Sequence, residues 1–191
     1  PGVRASTRSP AGSSPASATL RAPCSFVSYL HSMNPAETYE NYFVPAMFLP
    51  WATILLHHAA AQSGERVLDV ACGTGIVARH AAPLVGADGQ VVALDMNPAM
   101  LAVAHALPAP SGATITWQEG NAMALPFADG ALDIVLCQHG LQFFPDRAVA
   151  VREMRRVLAP GGRALAIVLQ ALARHPVFEA LMESVAHHLS L

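Results

Sequence analysis

Apolar positions along this chain alternate between two rhythms. Short, nearly continuous apolar runs occupy 66–71, 90–95, 113–118, 132–138 and 163–169. Between them, apolar residues recur three and four apart over 46–62, 75–84 and 98–106. The same spacing follows Pro145, where Val151, Met154 and Leu158 share one face. Continuous runs suit strands buried on both faces, and the 3.6 period suits helices packed against them. The punctuation agrees. Asn34-Pro35 and Asn97-Pro98 each set a capping side chain before a proline that fits a first helical turn. Ser63-Gly64 reads as the end of the 46–62 helix, and Pro160-Gly161-Gly162 as the turn before the fifth strand. The alternation predicts an α/β fold: a doubly wound, mainly parallel sheet of five strands.

The two ends differ from this pattern. Residues 1–32 are rich in Ser, Pro and Ala, carry Arg4, Arg8 and Arg21, and contain no acid. Such a stretch cannot bury enough surface to offset its ordering entropy. It reads as a disordered leader, with Met33 as the natural start; its composition also resembles an organellar transit peptide. Residues 33–62 then form an N-terminal helical cap and 63–170 the sheet domain. Residues 176–191 read as a helix with no strand after it. The fifth strand would stay an open edge, so 171–191 is expected to be the start of a truncated C-terminal region.

Composition narrows the chemistry. The 191 residues are 53% hydrophobic and 13% charged, with net charge −2. That balance suits one globular domain and offers no electrostatic footprint for nucleic acid or an anionic membrane. Every basic residue is Arg. Without Lys there is no Walker-type phosphate lysine, no Schiff base for pyridoxal phosphate and no Tyr/Lys pair of a short-chain dehydrogenase. Cys24, Cys72 and Cys137 form no Cys-x-x-Cys pair. A reducing, cytoplasmic setting without a metal site is expected. The pairs His57-His58 and His187-His188 sit side by side on helices and point apart, which does not suit metal binding. The apolar stretch 43–61 is interrupted by Pro45, Pro50, His57 and His58, so no membrane span is expected.

The candidate chemistry lies where the first strand ends, at Val67-Leu68-Asp69-Val70-Ala71-Cys72-Gly73-Thr74-Gly75. Gly73 to Ala78 fits G-x-G-x-x-A, a turn that lets a nucleotide-like ligand approach the backbone. Asp95 closes the second strand about twenty residues on, where an acid accepts hydrogen bonds from a ribose diol. An adenosine-bearing ligand follows: NAD or S-adenosylmethionine. Asp69 discriminates between them. A carboxylate beside the turn repels a pyrophosphate but attracts an ammonium or a sulfonium. Asp69 can also order the turn by accepting backbone N–H bonds.

These residues resemble motif I of class I S-adenosylmethionine-dependent methyltransferases, with Ala71 in place of the first glycine. The resemblance continues in order through Val91–Asn97, Glu119–Phe127, Leu132–His139 and Arg152–Gly162, and so spans about residues 35–170. It is nearest to the type 11 group, which includes ubiquinone- and menaquinone-pathway enzymes. It implies a Rossmann-like methyltransferase fold, of which the last two strands are missing here, and S-adenosyl-L-methionine as cofactor. It also implies roles. Gly73 and Gly75 would admit the methionine arm, with Thr74 between them. Asp69 would hold the ammonium and Ala71 would offer its carbonyl. Asp95 would clamp the ribose, and Met96 would lie against the adenine unless it is ordinary core. Asn121 and the Ala122 N–H would reach the adenine edge, unless Asn121 only shapes a turn. Gln138 would line the methionine end. His139, at the mouth, is the candidate catalytic base for a phenol or enol, with a substrate-lining role as the alternative. Tyr39, Tyr42, Phe43, Phe48 and Trp51 read either as core or as a lid over the cofactor. The expected reaction is C- or O-methylation of a small molecule. The chain has no Asn/Asp-Pro-Pro-aromatic run after the fourth strand, and Cys137 follows Leu136 rather than Pro, so nucleic acid is not the expected acceptor. An NAD-dependent oxidoreductase and a non-catalytic cofactor-binding fragment remain the alternatives.

Overall fold

A helix opens the fold. The computed structural model describes residues 34–170, together with Gly2, Arg174 and Ala180. The expected leader and the 176–191 helix therefore lie outside the described residues, apart from those isolated positions. Asn34 caps α1 (Pro35–Thr38) by accepting the Ala36 N–H at 3.0 Å. The helix then widens to π winding over Tyr39–Phe48 and returns to α2 (Leu49–Ala59). Pro45 lies inside the π stretch and has no N–H to give, while the Leu49 N–H reaches back five residues to the Val44 carbonyl.

This helix is longer than the 46–62 span read from the sequence, and it ends earlier. The terminator is Ala60 in the left-handed region, φ 48°, not Ser63-Gly64. The Arg163 guanidinium donates to the Ala59 and Ala60 carbonyls and pairs with Glu65. A cap delivered by a side chain about a hundred residues away leaves no local signal.

Five strands follow: β1 (Arg66–Val70), β2 (Gln90–Asp95), β3 (Ile115–Glu119), β4 (Leu132–Gln138) and β5 (Leu158–Ile167). All pair in parallel in the order β3-β2-β1-β4-β5. They alternate with α3 (Ile76–Val85), α4 (Pro98–Ala106) and α5 (Arg147–Val157). This is the doubly wound sheet that the pattern predicts. One departure concerns β5. Leu158 already pairs with Leu132, and the next partners are Ile134 and Arg163. Pro160-Gly161-Gly162 is thus a bulge inside the pairing, not a turn before it.

The core has two layers. Val67, Val91, Ala93, Ile134 and Leu136 pack against α2, α3 and Leu101 of α4. Leu68, Val70, Val92, Leu94, Val135 and Cys137 pack against Ala150, Met154 and Val157 of α5. Of the expected face of α5, Met154 is buried, whereas Val151 is exposed and Leu158 already opens β5; Ala150 and Val157 complete the buried face. The helix starts at Arg147 with Asp146 as cap, so Pro145 precedes it. Among the described residues no helix is long and apolar enough to cross a membrane.

Candidate functional site

The strand order reverses between β1 and β4, so the connections leaving their carboxyl ends part in opposite directions. A crevice opens there in sheets of this kind. The glycine turn leaves β1 at this point, and Gln138-His139 leaves β4 beside it. The two are in contact. A Cβ on Gly140 would stand 2.6 Å from the Ala71 Cβ and 3.0 Å from the Cys137 Sγ. Only a glycine lets the two strand ends close up.

The turn folds through three left-handed residues, Ala71 (φ 56°), Gly73 (φ 56°) and Gly75 (φ 84°). Asp69 is 1% exposed and accepts the Ala78 N–H of α3 at 3.1 Å. It therefore does order the turn. Burial pushes its carboxyl up to about 8; the nearby Asp95 adds to this, and the Ala78 N–H opposes it. An acid under such pressure is a ready acceptor for a cationic ligand. Asp95 ties the glycine turn to the end of β2: one oxygen accepts the Gly73 N–H at 2.7 Å, the other the Asn97 N–H at 2.8 Å. The Thr74 hydroxyl is fully buried with no hydrogen-bond partner. Beside Gly75 the space is closed, because a Cβ there would clash with the outer edge of the Trp117 ring.

Beyond β2, Met96 is 73% exposed. It is not core, and its side chain is free to lie against a ligand. Asn121 accepts the Met123 N–H at 2.9 Å, so it does shape a turn; the Ala122 that follows it is buried. Arg156 and Glu153 of α5 hold this loop from below. Arg156 donates to the Leu125 and Phe127 carbonyls, and Glu153 accepts the Leu125 N–H.

The helix 35–59 covers the other side. Tyr39 lies over Gly73 and stacks on Phe48, with ring centroids 4.9 Å apart. Gln138 donates its side-chain N–H to the Phe48 carbonyl at 2.9 Å, and its own oxygen is buried without a partner. His139 is 6% exposed and left-handed, φ 57°. Its backbone N–H donates to the Ile167 carbonyl at 2.8 Å, but neither ring nitrogen has a partner. Phe48 and Trp51 meet the ring edge-on at 5.5 and 6.4 Å. Burial lowers its pKa, so the imidazole is neutral at neutral pH. Tyr42, Phe43 and Trp51 remain substantially exposed, so the aromatic set is neither wholly core nor wholly lid.

Cys72 and Cys137 are not activated thiols: burial raises both, Cys137 to about 12. Among the described residues no group of His, Cys, Asp and Glu is arranged to hold a metal.

Residues 68–166 match the family described as methyltransferase domain. The chain is similar to the 2-phytyl-1,4-naphtoquinone methyltransferase of Synechococcus elongatus, 40% identical over 116 residues, 60% of this chain and 50% of that protein. It is also similar to the ubiquinone/menaquinone biosynthesis C-methyltransferase UbiE of Hahella chejuensis, 40% identical over 119 residues, 61% and 48% of the two chains. A solved structure, the arsenic (III) S-adenosylmethionine methyltransferase CrArsM of Chlamydomonas reinhardtii, superposes with a TM-score of 0.52 at 32% identity. It covers 62% of this chain and 45% of that one. The chain spans about half the length of the curated relatives it matches.

Proposed function

The chain belongs to the methyltransferase domain family, with S-adenosylmethionine as its cofactor, and from that membership we propose that it methylates a small apolar molecule at carbon or oxygen. One observation carries this reading: the acid-flanked glycine turn and an unpartnered, neutral histidine meet at the reversal point between β1 and β4. The residues present fit the cofactor. Asp69 is a buried acid suited to the ammonium, and the Ala71 carbonyl, two residues on, would be a second acceptor for it. Gly73, Thr74 and Gly75 form the turn. Each oxygen of Asp95 accepts one backbone N–H and retains a lone pair for a ribose hydroxyl. Met96 offers an exposed thioether to the adenine face, with Asn121 and the Ala122 N–H at its edge. Gln138, whose side-chain oxygen is buried without a partner, would line the methionine end.

Bound S-adenosylmethionine supplies an activated methyl group on a sulfonium. The protein's part is then orientation and exclusion of water. His139 accepts the proton of a phenol or enol hydroxyl as the acceptor attacks, and the Phe48 and Trp51 edges suit a planar aromatic ring. The quinone methyltransferases among the relatives support a quinol-type acceptor. Near-neutral charge favours a small molecule over nucleic acid. Two free thiols, Cys72 and Cys137, support a reducing, cytoplasmic setting.

Titration with S-adenosylhomocysteine and with NAD tests the cofactor site; binding of NAD alone would sink the reading. Transfer of labelled methyl to naphthoquinols tests the acceptor. His139→Gln is expected to lower kcat about 100-fold or more and to leave S-adenosylhomocysteine affinity unchanged. An unchanged kcat would reduce His139 to a lining residue.

A further inference from the structure

S-adenosylmethionine carries a carboxylate as well as an ammonium, and the acids assigned above, Asp69 to the ammonium and Asp95 to the ribose, leave that carboxylate unanswered. The chain has no Lys. Arg79 is the basic side chain that bonds to the glycine turn, and it is already matched: it donates to the Thr74 carbonyl and pairs with Glu40 at 2.9 Å. With Asp69 and Asp95 both nearby, a further anion needs neutral donors close to Gly73. Tyr39 is one. Its Cε1 and hydroxyl oxygen both lie 3.5 Å from where a Cβ on Gly73 would stand. We propose that the Tyr39 hydroxyl, reaching down from the N-terminal helix, donates a hydrogen bond to the methionine carboxylate of S-adenosylmethionine. This rests on the reading that the methionine arm lies along Gly73.

Two further observations support it, and a third point makes it testable. The hydroxyl holds its proton. Burial raises its pKa far above the usual phenol range, and Asp69, Asp95 and Glu40 add to the rise. A phenol in that setting is a donor at every working pH. The side chain is also held in place. Glu40, the next residue, is tied to α3 by Arg79, and Tyr39 stacks on Phe48, whose carbonyl Gln138 grips. Finally, the ring's stacking does not depend on the hydroxyl, so Tyr39→Phe removes the donor alone.

The test compares two probes that differ only in the carboxylate: S-adenosylmethionine and its decarboxylated form. By calorimetric titration, Tyr39→Phe is expected to weaken S-adenosylmethionine about tenfold, as loss of a hydrogen bond to a charged group does. Affinity for the decarboxylated form should stay within about twofold. Equal losses for both probes would mean that Tyr39 acts only through packing, and no loss for either would place the carboxylate elsewhere; each overturns the proposal. A wild-type protein that binds neither probe would instead overturn the cofactor reading on which it rests. A thermal melt of Tyr39→Phe matching wild type confirms that the fold is intact.

Discussion

Gly75 is constrained twice. Its φ of 84° is one that L side chains rarely adopt, and the Trp117 ring fills the space where a Cβ would go. The two penalties act together, one on the backbone and one on the packing between the turn and β3. Gly75→Ala is expected to cost about 2–5 kcal/mol, read from urea midpoints. A loss under about 1 kcal/mol would show that the ring moves aside freely. His139 carries the same backbone conformation without being glycine. Histidine is among the residues that tolerate it, yet a buried, unpartnered imidazole there is costly to folding. Since burial lowers its pKa, the unfolded chain binds the proton more readily, and stability falls as pH drops below about 6.5. Its neutral form, and with it any base-assisted rate, should survive below that pH. The acid limb of kcat in wild type is expected below pH 6.5 and absent in His139→Gln; an identical limb in both would assign it to another group.

At the level of elements, ion pairs hold parts together whose sequence positions are far apart. Arg66, where β1 begins, grips Asp133, where β4 begins, through its backbone N–H and two guanidinium nitrogens at 2.8–2.9 Å. This fixes the register of the central pair of strands. The guanidinium holds the Asp133 carboxyl down at about 2. A depressed carboxyl stabilises the fold above its unfolded value and loses that contribution as pH falls through its folded one. The side chains are partly exposed, so Asp133→Asn should cost only about 1 kcal/mol at pH 7. That difference should vanish between pH 4 and about 2. Urea midpoints at pH 7 and pH 2 decide it, and an equal gap at both would rule out the ionic origin.

For the molecule as a whole, Asp69 sets the needs of the fold against those of the site. Its folded pKa of about 8 lies above the ordinary 3.8, so the folded protein keeps a proton that the unfolded chain releases. Stability therefore falls as pH rises from about 4 to about 8. Asp69→Asn is expected to be more stable than wild type at pH 8, with a gain that shrinks toward pH 4, and to bind S-adenosylmethionine more weakly. A variant less stable at every pH would show that the Ala78 bond outweighs the burial penalty. The sheet, its helices and the turn were legible in the sequence because apolar periodicity and caps at Asn34 and Asn97 are local signals. The end of α2, the bulge in β5 and the exposed Val151 were not, because long-range contacts decide them. Within the candidate site, the positions of Asp95 and His139 follow from where strands end. That Trp117 fills the space beside Gly75 and Tyr39 covers Gly73 depends on tertiary packing alone.

The π winding of Tyr39–Phe48 also sets the tolerance of this helix to changes in length. A π turn holds about one residue more than an α turn. Deleting a residue between Asn41 and Met47 can thus be absorbed by a return to α winding, leaving α2 seated on the sheet. Because the shorter α turn sweeps the same angle as the π turn it replaces, Tyr39 and Glu40 would still face Gly73 and Arg79. The segment is a built-in length adjuster, in which a one-residue deletion would spare both the fold and the way the helix covers the crevice.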